Sequence, residues 1–354
     1  MGRAWRWLRR HLRTAVQVAF AALTNGYAAG FLQGKIYRGA AKAVCVPGLN
    51  CYSCPGALGS CPIGALQAVL GSRSYRICLY VVGFLFLSGA ALGRFVCGWL
   101  CPFGLVQDLL HKIPLPKGWK RKKLPGDRGL RLLKYGILVG FVLLLPSLVV
   151  DVTGQGMPWF CEYICPSGTL MGGVPLLLTN PPLRAAAGGL FAWKAALLAA
   201  LLLLSVAVYR PFCRYLCPLG AIYGLFNPIA LHRFAVEEHK CVRCGKCQSA
   251  CKLDIAAYKT PNSRECIRCG ECLRACPTGA LHTLLRRAEV RHIKKTQGKD
   301  GGKGKWNDWL EPYPGAFAPP SSARGTTSPQ SSSTACSPPP RARASPCATG
   351  TSWP

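Results

Sequence analysis

Two cysteine runs in tandem constrain this chain most: Cys241, Cys244, Cys247 and Cys251, then Cys266, Cys269, Cys272 and Cys276. Both read C-x2-C-x2-C-x3-C, and Pro277 follows the second. Close-spaced thiolates in one tight loop reach three irons of a cube, and the fourth ligand must come from elsewhere. In the two-cluster form of this pattern the fourth cysteine of each run crosses to the other cluster. The spacing therefore predicts one [4Fe–4S] cluster on Cys241, Cys244, Cys247 and Cys276. A second is predicted on Cys266, Cys269, Cys272 and Cys251. Gly245 and Gly270 let the backbone turn closely around each cluster. Zinc knuckles are the bland alternative, but zinc draws its four ligands from two separated C-x2-C pairs. Two unbroken four-cysteine runs fit that poorly.

Some 200 residues that read as a membrane protein precede these runs. Half of the 354 residues are apolar, and 44 basic residues face only 13 acidic ones, for a formal net charge of +31. The basic residues lie in short runs beside apolar stretches rather than along one face of a soluble domain. The charge therefore suits cytoplasmic membrane loops, and no nucleic-acid partner is expected. Four spans are predicted: 15–31, read as an uncleaved anchor after the basic start "MGRAWRWLRRHLR", then 77–92, 132–150 and 190–208. Lys194, near one end of the last, is expected to snorkel to the interface. Residues 94–134, with "HKIPLPKGWKRKK", are basic and should be cytoplasmic, whereas 153–187 carry only Glu162 and Arg184 as charges. The chain is then expected to cross the cytoplasmic membrane several times with both termini on the cytoplasmic side. Residues 34–76 are placed outside despite Lys35, Arg38, Lys42, Arg73 and Arg76.

A second cysteine motif repeats through this membrane part. "CGWLCPFG" carries Cys97 and Cys101, "CEYICPSG" carries Cys161 and Cys165, and "CRYLCPLG" carries Cys213 and Cys217. Each reads C-x3-C-P-x-G. A degenerate fourth copy, "CPGALGSCPIG", runs from Cys54 to Cys61. The topology alternates the copies between faces, as inverted repeats do. Cys97, Cys101, Cys213 and Cys217 should meet at the cytoplasmic face, four thiolates for one [4Fe–4S] cluster. The outer face holds six cysteines, and Cys54, Cys61, Cys161 and Cys165 are the preferred set, because Pro or CP-x-G follows Cys54 and Cys61. An outer disulfide, or a cluster on Cys45, Cys51, Cys54 and Cys61, are the alternatives. Cys78 reads as a small buried apolar residue. From about Thr296 the chain is rich in Gly, Ser, Pro and Thr and reads as disordered, with no metal role for Cys336 or Cys347.

The expected fold is thus an α-helical membrane protein of about four transmembrane helices, inverted-repeat-like, plus a small α+β bacterial-ferredoxin-like domain. Its expected parts are 1–35 (basic start and first helix), 36–236 (membrane domain with the cluster motifs), 237–285 (two-cluster domain) and 286–354 (basic, then Ser/Pro-rich tail). Membrane segments with C-x3-C-P motifs, followed by a two-cluster module, resemble the NapH/NosR-type membrane iron–sulfur proteins over roughly residues 10–290. Cys97, Cys101, Cys213, Cys217 and the eight module cysteines carry the resemblance. It implies electron transfer across or along the cytoplasmic membrane, often between quinone and a partner redox protein. The cysteine-rich stretch 45–62 and the pair at Cys161 depart from it and suggest an electron exit at the outer face.

The favoured reading is an electron relay from a soluble cytoplasmic donor, through the module and membrane clusters, to an extracytoplasmic flavin or haem protein. It is an electron-transfer component of an oxidoreductase rather than a stand-alone enzyme. The basic module suits an acidic donor. A quinol dehydrogenase subunit is the second reading, with Asp108, His111 or His232 as proton-handling groups near quinone. The bland account of these three is that they are solvated interface residues. The third reading is a membrane sensor with structural clusters. The spans hold no acid and no His, so two-His haem ligation is not expected, and no P-loop supports ATP coupling.

Overall fold

The computed structural model describes residues 3–72, 79–116, 119–149 and 156–283. Cys78, Cys336, Cys347 and the tail from Thr296 lie outside the described residues. The chain is mostly helical. Its main helices are α1 (Arg3–Thr24), α2 (Pro62–Leu70), α3 (Leu79–Leu92), α4 (Pro102–Leu110), α5 (Asp127–Leu148), α6 (Gly189–Ala207) and α7 (Pro218–Phe226).

Two of these, α5 and α6, are long and apolar enough to cross a membrane. They answer to the expected spans at 132–150 and 190–208. Of the span expected at 77–92 the described part, Leu79–Leu92, is the apolar helix α3, and residues 73–78 lie outside the described residues. The first expected span differs more. Helix α1 starts at Arg3 and stops at Thr24, and a separate short helix covers Ala28–Gln33. The break falls at Asn25 and Gly26, where the Asn25 side chain takes the Ala21 carbonyl. Large apolar side chains point outward along the longer helices, among them Leu79, Phe86, Leu132, Leu148 and Leu203. Such a surface suits lipid better than water.

The C-P-x-G motif has a local mechanical reason. In each copy the cysteine is the residue before a helix and the proline is its first position: Cys61 and Pro62, Cys101 and Pro102, Cys165 and Pro166, Cys217 and Pro218. Proline suits that position because its missing N–H would be unpaired there anyway. The glycine two residues later turns its amide onto the cysteine sulfur, at 3.4 Å for Gly168 on Cys165 and 3.3 Å for Gly220 on Cys217. A side chain at Gly220 would meet the Cys213 carbonyl at 3.2 Å and Arg94 at 3.3 Å.

The C-terminal module is closed by a two-stranded antiparallel sheet, β1 (Phe234–Val236) on β2 (Leu281–Thr283), with Phe234 opposite Thr283. Between the strands lie both four-cysteine runs. Gly245 and Gly270 stand at φ 72° and 79°, and Arg243 and Arg268 at 52° and 54°, so each run makes the same left-handed turn. A small core of Phe234, Cys247, Ala257, Cys272, Leu273 and Leu281 fills the module. It rests on the ends of α3 and α7. Trp99 donates to the Arg268 carbonyl (3.1 Å), and Asn227 donates to the carbonyls of Ser263 (2.7 Å) and Cys266 (2.8 Å). A β-carbon at Gly98 would stand 2.2 Å from the Ile267 carbonyl oxygen, so the glycine permits this approach.

Candidate iron–sulfur sites

Four groups of thiols form along the chain. In the module, Cys241, Cys244, Cys247 and Cys276 line one cleft with Tyr258 and Leu281. Cys272 interacts electrostatically with Cys266, Cys269 and Cys251, which gather beside it. These are the two crossed sets that the spacing predicts. The second set faces the membrane part, for Cys251, Cys266 and Cys269 pack against its core.

The third group is Cys97, Cys101, Cys213 and Cys217, all buried and mutually coupled. Gln107 holds one side of it. Its amide nitrogen donates to the Cys213 sulfur at 3.1 Å, and its oxygen accepts the Phe212 amide at 3.2 Å. Two buried arginines cross between the two motifs. Arg94 donates to the Cys213 carbonyl at 2.9 Å, and Arg210 donates to the Cys97 carbonyl. Each has a carboxylate partner: Glu265 for Arg94 (2.7 Å) and Asp108 for Arg210 (2.7 Å). Lys134 also pairs with Glu265, and Arg13 with Asp108 at 2.6 Å. Burial alone would raise the Glu265 carboxyl, but the Arg94 and Lys134 charges outweigh it and hold it at about 2. Asp108 is therefore not the solvated interface residue of the bland reading. It is buried, and its carboxylate is committed to two arginines. His111 packs edge-on to Tyr209, and His232 edge-on to Phe95.

The fourth group repeats this construction with a change. Gln67 takes the place of Gln107, donating to the Cys161 sulfur at 3.2 Å and accepting the Phe160 amide at 3.0 Å. Cys165 interacts with Cys161, Cys51 and Cys61. The preferred set named Cys54 here. Instead the structure brings Cys51 to the other three, and the Cys54 sulfur turns to the Asn25 side-chain oxygen at 3.6 Å. The sulfurs of Cys51 and Cys165 lie 3.6 and 3.8 Å from the point where a Gly168 β-carbon would stand. Cys45 is buried, its amide donating to the Tyr80 hydroxyl. Lys194 donates to the Cys161 carbonyl at 3.2 Å. Sequence reasoning passed over the two glutamines. Their signal was present, since each stands six residues after the cysteine of C-P-x-G in the copies at Cys61 and Cys101.

The donor set fits an iron–sulfur cluster better than neutral thiols. Amide and side-chain N–H groups converge on the sulfurs, and a thiolate accepts such bonds far better than S–H. Burial, then the neighbouring thiol of Cys161, pushes Cys61 up to about 12, and burial pushes Cys161 up to about 11. Four such thiols ionise together only against positive metal charge. Among the described residues no three His, Cys, Asp or Glu side chains close on one point as the ligands of a single ion would. A cube, whose irons lie at separate corners, asks for thiols spread around it.

Residues 74–125, 136–178 and 190–235 match one 4Fe-4S binding domain family, and 260–282 match another. The three C-x3-C pairs and the second module run fall inside these segments. The ferredoxin-type protein MauN of Paracoccus denitrificans, named for methylamine utilization, is 30% identical over 259 residues, 69% of this chain and 77% of that protein. The ferredoxin-type protein NapH of Haemophilus influenzae is 32% identical over 51% of this chain and 56% of its own length. An uncharacterized protein of Methanocaldococcus jannaschii is 31% identical over 49% of this chain and 65% of its own. The chain thus spans about half to two thirds of the length of many curated relatives. No solved structure matches it. The chain belongs to the NapH-type, polyferredoxin-like family of 4Fe-4S binding proteins, iron–sulfur electron-transfer proteins of ferredoxin type.

Proposed function

We propose that this chain is a membrane electron relay with four [4Fe–4S] clusters in series. The ligand sets run in order: Cys241, Cys244, Cys247 and Cys276; Cys251, Cys266, Cys269 and Cys272; Cys97, Cys101, Cys213 and Cys217; then Cys51, Cys61, Cys161 and Cys165. Bound clusters would supply one-electron carriers whose potentials the surroundings adjust.

The observation that carries this reading is a shared loop. The loop passes against one site and supplies a thiol to the next: a β-carbon at Gly48 would stand 3.2 Å from the Cys101 Cα, and Cys51, three residues on, lies within electrostatic reach of Cys165. Three residues of extended chain span roughly 10 Å, so the third and fourth sites stand within a short electron-transfer distance. Tyr223 fills the space between them. It is fully buried, interacts with both Cys97 and Cys61, and donates to the Pro47 carbonyl at 3.1 Å. At the other end, the loop 263–268 sets Cys266 against the residues that carry Cys97, through the Arg94, Asn227 and Trp99 contacts.

In this reading the protein crosses the cytoplasmic membrane several times with both termini inside. The Cys161 site faces outward, on the strength of the Lys and Arg distribution. Cys244 is exposed at the far edge of the module beside Arg243 and Lys246, where an acidic soluble donor would dock. The acceptor is a redox protein on the outer side.

Anaerobically purified protein is expected to hold about sixteen irons and as much acid-labile sulfide per chain, four for each of four clusters. Iron near eight, with signals of the module alone, would mean that the membrane thiols hold no cluster. Zinc in its place would overturn the module assignment too.

A further inference from the structure

The two membrane sites treat positive charge differently. At the Cys97 site the guanidinium groups of Arg94 and Arg210 each have a carboxylate of their own, Glu265 and Asp108. Among the described residues the cations near the Cys161 site, Lys42 and Lys194, form no ion pair with a carboxylate, and the acid nearest in sequence is Glu162, beside Cys161. The buried cation of this site is Lys42, only 5% exposed, on a short turn at Ala40–Ala43. Among the described residues the Lys42 ammonium has no hydrogen-bond acceptor. It lies 4.8 Å from the centre of the Tyr52 ring and within electrostatic reach of Cys54 and Cys51. A buried ammonium without a counter-charge is costly, and a ring face offsets only part of that cost. The position of Cys54 adds to the contrast. It stands seven residues before the cysteine of its C-P-x-G motif, as Arg94 and Arg210 do in theirs. A thiol replaces the arginine, and the charge arrives from Lys42 and from Lys194, which donates to the Cys161 carbonyl.

We propose that Lys42 is a buried counter-charge of the cluster held by Cys51, Cys61, Cys161 and Cys165, and that it raises the reduction potential of that site. The inference rests on the relay reading above. Four thiolates outweigh the positive charge of a cluster core, so the occupied site is anionic and gains one more negative charge when it accepts one electron. No bond forms or breaks, and no proton is required. An ammonium fixed beside Cys51 favours the reduced form, and Lys194 adds its own field at the Cys161 end of the site. Lys42 is thus a positioning charge rather than a ligand.

The test is an anaerobic redox titration of the full-length protein, followed by paramagnetic resonance, on Lys42→Met and Lys42→Arg. The site's signal is identified as the one missing from Cys51→Ser. In Lys42→Met the reduced-to-oxidised ratio of that site, read at the wild-type midpoint, should fall about tenfold, equivalent to about 59 mV for one electron. The other three midpoints should stay, the iron content should match wild type, and Lys42→Arg should restore the ratio. An unchanged midpoint at full iron content would overturn the proposal and leave the relay standing. Loss of the site's iron in Lys42→Met would make Lys42 a folding element and overturn it as well. A wild-type protein with no cluster at this site would instead overturn the relay reading beneath it.

Discussion

Replacing Cys101 with Ser is expected to cut the relay in the middle. Iron should fall by about four per chain, because three remaining thiolates leave one iron of the cube without its ligand. The module shares no ligand with that site and has its own small core around Phe234, Cys272 and Leu281. Its clusters should therefore still bleach when a soluble reductant is added. The Cys161 site should stay loaded yet remain oxidised, since the only path to it from the module runs through the lost site. Resonance spectra of the reduced variant would show this as module signals without the outer one. Full reduction of the outer site would mean that electrons bypass Cys101. Loss of the module signals as well would mean that the module needs the membrane site to fold, and the Trp99, Asn227 and Arg94 contacts would be the cause.

Cys51→Ser and Cys54→Ser should part sharply, although the residues are three apart. The first removes a sulfur that sits with Cys61, Cys161 and Cys165, and it should empty the outer site. The second removes a sulfur that faces Asn25 in a fully buried position, and it should keep all four clusters. Its cost is a small one in stability, about 1–3 kcal/mol if the serine hydroxyl finds no partner. Iron analysis and resonance spectra of the two variants decide between the sets. A cluster retained in Cys51→Ser and lost in Cys54→Ser would return the ligand set to the one that motif position suggests.

That pair also shows what sequence can and cannot convey. Thiols within a few residues of one another were legible, because spacing along a loop or a helical turn fixes their geometry. The pairs Cys97–Cys101 and Cys213–Cys217 are of this kind, whereas the meeting of the two pairs was read from the repeat and the topology, and the crossing in the module from the two-run pattern. Cys51 was not legible, because the loop from Cys45 to Cys61 folds back on itself, and Asn50 pins it by donating to Thr24 and Gly59 carbonyls at 3.2 Å each. Motif position pointed to Cys54; the turn of the loop brought Cys51 to the other thiols. Asp108 was misjudged for a related reason. It looks solvated when only its own segment is considered, and its partner Arg210 lies 102 residues away. The membrane helices were legible where an apolar run is long, as in α5 and α6, and less so near Asn25 and Gly26, which end α1 inside the expected span.

The most direct test of the relay is transfer across a sealed bilayer. The purified protein would be placed in vesicles with the module facing outward and a membrane-impermeant acceptor trapped inside. A reductant that cannot cross the bilayer is then added outside. The account predicts that the trapped acceptor is reduced at a rate proportional to the protein present, and that Cys101→Ser lowers this rate to that of protein-free vesicles. Clusters fully loaded and fully bleached, with the trapped acceptor still oxidised, would contradict it.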